Sequence, residues 1–365
     1  MNNAFQSAVF ARRFLSSAAA PSLVAVSVAL SPTTLLAQEE LNALVWCDHT
    51  DPALIEPFEK ANNVKVNLKE YEGTGAGLSI IDQSRPGDWD VLVIDGVDVQ
   101  RAIDKNILAE IPADAVPTAD IFPEVRMQAN NTRGGKTYAV TEKFGYNTIS
   151  YDKTKVDPAD MKDMTKLWSV KYKGRIAVYD YYLPMIGLTG IALGKATADL
   201  TDADLPAIKD KLFDLKKNAK QISDVVSSQT ALATGDVDIV FGGGEWLTAG
   251  LMKDKPNLDW VIPDQGAVRW AQSIGVMQDS KKKDLALKFV QYILSPEGQS
   301  HLATASCYWA MPANQKAGAL LTDEQKTSLR WNEQADYLKK TQLYPIPTPE
   351  LDAKMQDAWT EMLQK

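Results

Sequence analysis

The sequence predicts an α/β fold arranged as two lobes, and three observations predict it. Apolar or alternating strand-like runs recur between segments of helical period, the pattern of repeated βα units. Several of these runs end in polar or aromatic corners, which is where open α/β sheets place ligands, outside the carboxyl ends of the strands. The chain has 365 residues, long enough after an N-terminal leader for two separate cores.

The leader comes first. Arg12 and Arg13 precede an apolar, small-residue stretch from Phe14 to Leu30, and Leu35-Leu36-Ala37 before Gln38 offers a cleavage point. Residues 1–37 are therefore expected to be a signal peptide, cleaved near Ala37, that exports the protein to the periplasm. The arginine pair leaves Sec and twin-arginine export both open. Pro21, Pro32 and the intervening serines argue against a membrane anchor. No cysteine adjoins the cleavage point, so no lipid anchor is expected.

Leu41 to Leu68 reads as strand, corner, helix, strand. Leu41, Ala43 and Val45 run into Trp46, Cys47-Asp48-His49-Thr50-Asp51 turns the chain, and Pro52 opens a helix with Leu54, Ile55 and Phe58 on one face. Thr50 or Asp51 can cap it. Val64 to Leu68 alternates as the second strand. Tyr71 to Gly77 is glycine-rich but lacks a Gly-Lys-Ser/Thr ending, so it is read as a mobile cleft loop rather than a phosphate loop. Val91 to Ile94 is a buried parallel strand that ends at Asp95-Gly96, and Asp95 and Asp98 are candidates for an ammonium group, with helix capping as the alternative.

Gly134 to Tyr151 turns strand-like and is placed as the first strand joining the lobes, with the second near Asp259 to Pro263. Ile176 to Val178 leads into Tyr179-Asp180-Tyr181-Tyr182, where adjacent tyrosines after a strand suit ligand walls. Val237 to Phe241 leads through three glycines to Glu245 and Trp246. Glu245 reads equally as a first-turn carboxylate or a ligand partner. Asp284 to Leu294 and Gly298 to Ala303 are helical. Cys307 to Asn314 is an aromatic loop, and Glu350 to Lys365 closes the chain as an amphipathic helix with Leu351, Met355, Trp359 and Met362 on one face.

Trp46-x-Asp48-x-x-x-Pro52, the helix ending Phe58-Glu59-Lys60 and Val64-Lys65-Val66 together resemble the opening of the periplasmic spermidine/putrescine-binding proteins of bacterial ABC importers. Asp88 to Val93, Lys136 to Tyr151, Leu167-Trp168 with Tyr172-Lys173-Gly174, Trp270 to Ser273 and Ala286 to Glu297 are similar to later segments of that family, in order. The resemblance implies a type II periplasmic binding-protein fold, two doubly wound α/β lobes joined by hinge strands. Lobe 1 would take 38–142 and 264–314, and lobe 2 would take 143–263 and 315–365. It also implies a monomer that closes on a small amine or zwitterionic solute and delivers it to an inner-membrane ABC permease. The strand-end corners and the resemblance together give as expected ligand contacts Trp46, Cys47, Asp48, His49, Asp95, Asp180, Tyr181, Tyr182, Glu245, Trp246, Trp270, Gln272, Tyr308 and Trp309, with one of Tyr308 and Trp309 reaching the solute.

Gln272 departs from the family, which carries an aspartate there, and the acids that follow the second-lobe strand in spermidine binders are replaced after Asp180 by Tyr181, Tyr182, Leu183 and Pro184. Fewer carboxylates imply fewer ammonium groups, or a cation held by aromatic rings, with Asp48 or Asp95 as its charge partner. Spermidine is then not the expected best ligand.

A net charge of −8 argues against nucleic acid. Two histidines and two cysteines give no zinc spacing, and neither a metal nor a cofactor is expected. Cys47 and Cys307 are the only thiols; a disulfide and two separate buried thiols both remain open. No Gly-x-Ser-x-Gly elbow occurs. The enzyme alternative is an exported hydrolase working through paired carboxylates, against which the expectation is a binding protein.

Overall fold

The computed structural model describes residues 38–365; the expected signal peptide lies outside the described residues. One mixed sheet runs through them. Its main strands are β1 (Glu39–Val45), β2 (Val64–Glu70), β3 (Val91–Asp95), β4 (Val140–Asp152), β5 (Ile176–Tyr179), β6 (Ala219–Ser223), β7 (Ile239–Gly243) and β8 (Ala267–Val276). They lie side by side in the order β2-β1-β3-β8-β4-β7-β5-β6.

The pairing divides this sheet into two parallel sets. In one, β1 pairs with β2 and β3; in the other, β5 pairs with β6 and β7. Between them β8 and β4 run antiparallel to each other and to their outer neighbours. The composition explains the arrangement. Every residue of Val91–Asp95 is buried, as a parallel strand covered on both faces requires. All thirteen residues of β4 and all ten of β8 are buried as well. Leu258–Val261, near which the second joining strand was expected, is a short strand that among the described residues pairs with β4; β8 is the strand that lies with β4 between the two parallel sets.

Local chemistry sets the first βα unit. Asp51 accepts a hydrogen bond from Ala53 N at 2.9 Å and caps the helix Pro52–Asn62, and Asn63 ends it in the left-handed region with φ 51°. The glycine-rich stretch is not a loop throughout: Thr74–Gln83 is helical. Gly77 is needed there because a Cβ would come within 2.6 Å of the Tyr71 ring.

Separate apolar clusters flank the two parallel sets. Phe58, Phe289 and Leu41 belong to one, with the Phe58 and Phe289 ring centroids 5.0 Å apart; each such side chain contributes roughly 1.5–3 kcal/mol on full burial. Ile176, Val178, Leu188 and Phe241 belong to the other. The closing helix Pro349–Gln364 buries Met355, Trp359 and Met362 against this second cluster. Leu321, Leu329 and Leu338 pack in the first cluster, although the chain after 314 was expected in the second lobe.

Candidate functional site

The carboxyl ends of both parallel sets converge on a cavity of about 360 Å³. Trp46 and Cys47 follow β1, Glu70 ends β2 and Asp95 ends β3. From the other set come Tyr179 at the end of β5, Val225 and Val226 after β6, and Trp246 after β7. Asn147 of β4 and Trp270 and Gln272 of β8 line it between the sets, and Cys307, Tyr308 and Tyr344 complete it.

Its walls are aromatic. Ring centroids lie 5.9 Å apart for Trp46 and Tyr71, 5.1 Å for Tyr179 and Trp246, 6.1 Å for Tyr181 and Tyr344, and 6.2 Å for Trp270 and Tyr308. Hydroxyls fix several rings: Tyr344 donates to Asn147 Oδ1 at 2.7 Å, Tyr71 donates to Val93 O, and the Tyr308 oxygen accepts from Gln272 Nε2 at 2.7 Å. Glycine at 145 makes room for the Trp270 wall, since a Cβ there would overlap Glu245 Oε1 and lie 2.5 Å from Trp270 Cζ2.

Asp95 is the buried acid of this cavity. Tyr181 OH donates to its Oδ2 at 3.3 Å, and no basic side chain pairs with it among the described residues. Burial, followed by the nearby charge of Asp98, raises its carboxyl to about 7. Two further acids, Glu70 and Glu72, line the cavity but are solvent-exposed.

Of the expected contact residues, Trp46, Cys47, Asp95, Tyr181, Trp246, Trp270, Gln272 and Tyr308 line the cavity together. Six do not. Asp180 is exposed and accepts from Trp359 Nε1 at 2.9 Å. Tyr182 opens the helix Tyr182–Ala192 and donates to Asp352 Oδ1 at 2.6 Å. Trp309 packs with the first apolar cluster, so Tyr308 is the ring of the pair that faces the cavity. Glu245 is fully buried and accepts from Tyr146 N at 3.0 Å; burial, against that bond, raises its carboxyl to about 8.

Asp48 and His49 turn away into a buried ionic network. His49 Nδ1 lies 2.9 Å from Asp48 Oδ1 and its Nε2 lies 3.0 Å from Glu142 Oε1, while Lys143 Nζ donates to Asp48 Oδ2 at 2.8 Å. All four side chains are fully buried. Burial alone would push the charged forms out, but the Lys143 and His49 charges hold Asp48 well below its ordinary range, and Glu142 and Asp48 raise His49 to about 10. Lys143 also sits 4.1 Å from the Tyr308 ring centroid, so the network backs a cavity wall. Lys143→Met leaves His49 as the sole cation between two buried carboxylates, Asp48 and Glu142, and is expected to cost about 3 kcal/mol of stability in urea unfolding; an unchanged midpoint would count against an ionic role.

Cys47 and Cys307 form a disulfide with Cα atoms 6.0 Å apart, and among the described residues no cysteine is free. Sequence reasoning did not single out Tyr179 or Tyr344, nor Asn147, Val225 and Val226. Tyr179 had a usable signal, the last position of an apolar strand. Glu70, Tyr71 and Glu72 stood at the edge of the glycine-rich stretch without being singled out.

Comparison with known proteins adds to this geometry. A family model of bacterial extracellular solute-binding proteins matches residues 53–354. The putrescine-binding periplasmic protein PotF of Escherichia coli is 24% identical, over 96% of this chain and 98% of its own length. The putrescine/agmatine-binding protein of Pseudomonas aeruginosa is 23% identical, over 89% and 92%. Among solved structures, the spermidine/putrescine ABC transporter substrate-binding protein PotD of Streptococcus pneumoniae aligns with a TM-score of 0.75 at 20% identity, over 89% of this chain and 99% of that one. MotA of A. tumefaciens B6, in complex with glucopine, aligns at 0.69 and 18% identity, over 89% and 99%. These likenesses carry the two-lobed periplasmic binding-protein fold.

Proposed function

The chain belongs to the bacterial extracellular solute-binding proteins, and from that premise we propose that it captures a small amine-containing cation in the cavity and hands it to the membrane permease of an ABC importer. Asp95 carries the reading. A carboxylate that is nine-tenths buried, ringed by aromatic side chains and without a basic partner among the described residues is a poor structural element and a good ammonium acceptor. The rings of Trp46, Tyr181, Trp246 and Trp270 add π faces for the cation and apolar walls for its carbon chain. The relatives named for putrescine support an amine, and the neutral Gln272 supports a cation with fewer charges than spermidine. In this reading the protein works in the periplasm as a monomer that binds without turnover, closing by hinge motion about β4 and β8.

Thermal-shift screening of the mature protein against polyamines, monoamines, amino acids and betaines tests the proposal, because a ligand of the native state raises the melting temperature. No shift with any amine would refute it. Affinity should also depend on pH. Below about 7 the free Asp95 carboxyl holds a proton that the incoming ammonium must displace. Calorimetry is expected to show affinity falling by up to about tenfold per pH unit below that point and levelling above it.

A further inference from the structure

The polar atoms of the cavity wall are not all paired. Gln272 is 2% exposed; its Nε2 donates to the Tyr308 hydroxyl oxygen, and its Oε1 has no partner among the described residues. Trp246 is 5% exposed, and its indole N–H likewise has no partner. A buried polar atom left unpaired is costly, and both residues line the cavity. Trp46 Nε1 on the same wall is unpaired as well among the described residues, so the wall offers one acceptor, Gln272 Oε1, and two indole donors, of which Trp246 Nε1 is one.

The strand register places the acceptor. Gln272 of β8 lies directly opposite Asp95 of β3, so the two side chains share a face with Cβ atoms roughly 5 Å apart. A primary or secondary ammonium that gives one N–H to Asp95 has a second for Gln272. A quaternary head has neither and leaves the amide oxygen unpaired.

Trp246 constrains the rest of the solute. A diamine or triamine brings donors to every polar contact and leaves the indole N–H without an acceptor. A carboxylate would accept from it, but the lining contains Glu70, Glu72 and Asp95 and no lysine, arginine or histidine, so a second negative charge would be repelled. A neutral oxygen meets both conditions.

Building on the amine reading above, we propose that the solute is a singly charged primary or secondary amine that also carries a neutral oxygen acceptor, an amino alcohol or amino amide. Its ammonium sits on Asp95 and Gln272, and its oxygen accepts from Trp246. The acid that the resembled family carries at the Gln272 position is absent here, Asp95 on the neighbouring strand supplies the charge, and the far end is read by an indole instead of a second carboxylate.

The test is isothermal calorimetry with a series of primary amines that share a carbon chain and differ at the far end: butylamine, putrescine, γ-aminobutyrate, aminobutanol and aminobutanamide. The wild-type protein is expected to bind aminobutanol or aminobutanamide about tenfold more tightly than the other three. Trp246→Phe retains a ring but loses the donor; it should weaken every ligand through lost contact and bring the ratio of aminobutanamide to butylamine close to one. Putrescine or γ-aminobutyrate as the tightest wild-type ligand overturns the proposal, and so does a ratio that survives in Trp246→Phe. If no primary amine binds the folded protein, the amine reading itself fails and takes this one with it. The wild-type series stands on its own should the variant not fold.

Discussion

Asparagine in place of Asp95 is expected to lower affinity for a cationic amine by about a hundredfold and to leave the solute-free protein at least as stable as the wild type above neutral pH. The affinity loss follows from one charge-assisted hydrogen bond in a buried site, worth roughly 2–3 kcal/mol. The stability follows from linkage. Burial and Asp98 raise the folded-state carboxyl to about 7, above its unfolded value of about 4. The folded protein therefore holds the proton more tightly, and stability is lost as pH rises from that unfolded value through about 7. Asparagine carries no such loss. Melting curves at acid and alkaline pH, with calorimetry at each, check both halves; a variant that keeps full affinity, or that is destabilised most at alkaline pH, would show that Asp95 is structural.

The same residue shows what the sequence makes legible. A continuous apolar run ending in an acid, Val91 to Asp95, encodes a buried parallel strand and the position of its carboxyl end together, and Trp46 and Trp246 were readable in the same way, whereas Trp270, inside β8, came only from the family resemblance. Asp48 and His49 looked equally promising, because they share the corner with Trp46. Their partners, Glu142 and Lys143, lie on a strand more than ninety positions away, and no local pattern announces a buried ion network closed over that span. Tyr182 illustrates a second limit. It adjoins Tyr181, but as the first residue of a helix it turns toward Asp352 in the closing helix. Tyr344 and Val226 reach the cavity from segments whose local sequence has no period that points there, so only the tertiary packing reveals them.

Serine at both Cys47 and Cys307 is expected to have the largest effect on stability and a separate effect on binding. The bridge closes a sequence separation of 260 residues, and the chain-entropy account of such a long loop gives about 5 kcal/mol. Its position adds the binding effect. Both cysteines line the cavity, and each adjoins one of its aromatic walls, Trp46 on one loop and Tyr308 on the other. The disulfide thus holds two walls in register that the chain otherwise connects only through the whole fold, and losing it transfers the entropy of ordering those loops to the binding step. Urea unfolding of the double variant should show a lower midpoint, and calorimetry should show affinity reduced by about tenfold. Wild-type protein reduced under native conditions should behave the same way, which separates loss of the bridge from the substitutions themselves. Full affinity in both samples would mean that the bridge only stabilises the fold, and that Lys143, Gln272 and Trp270 position Tyr308 without it.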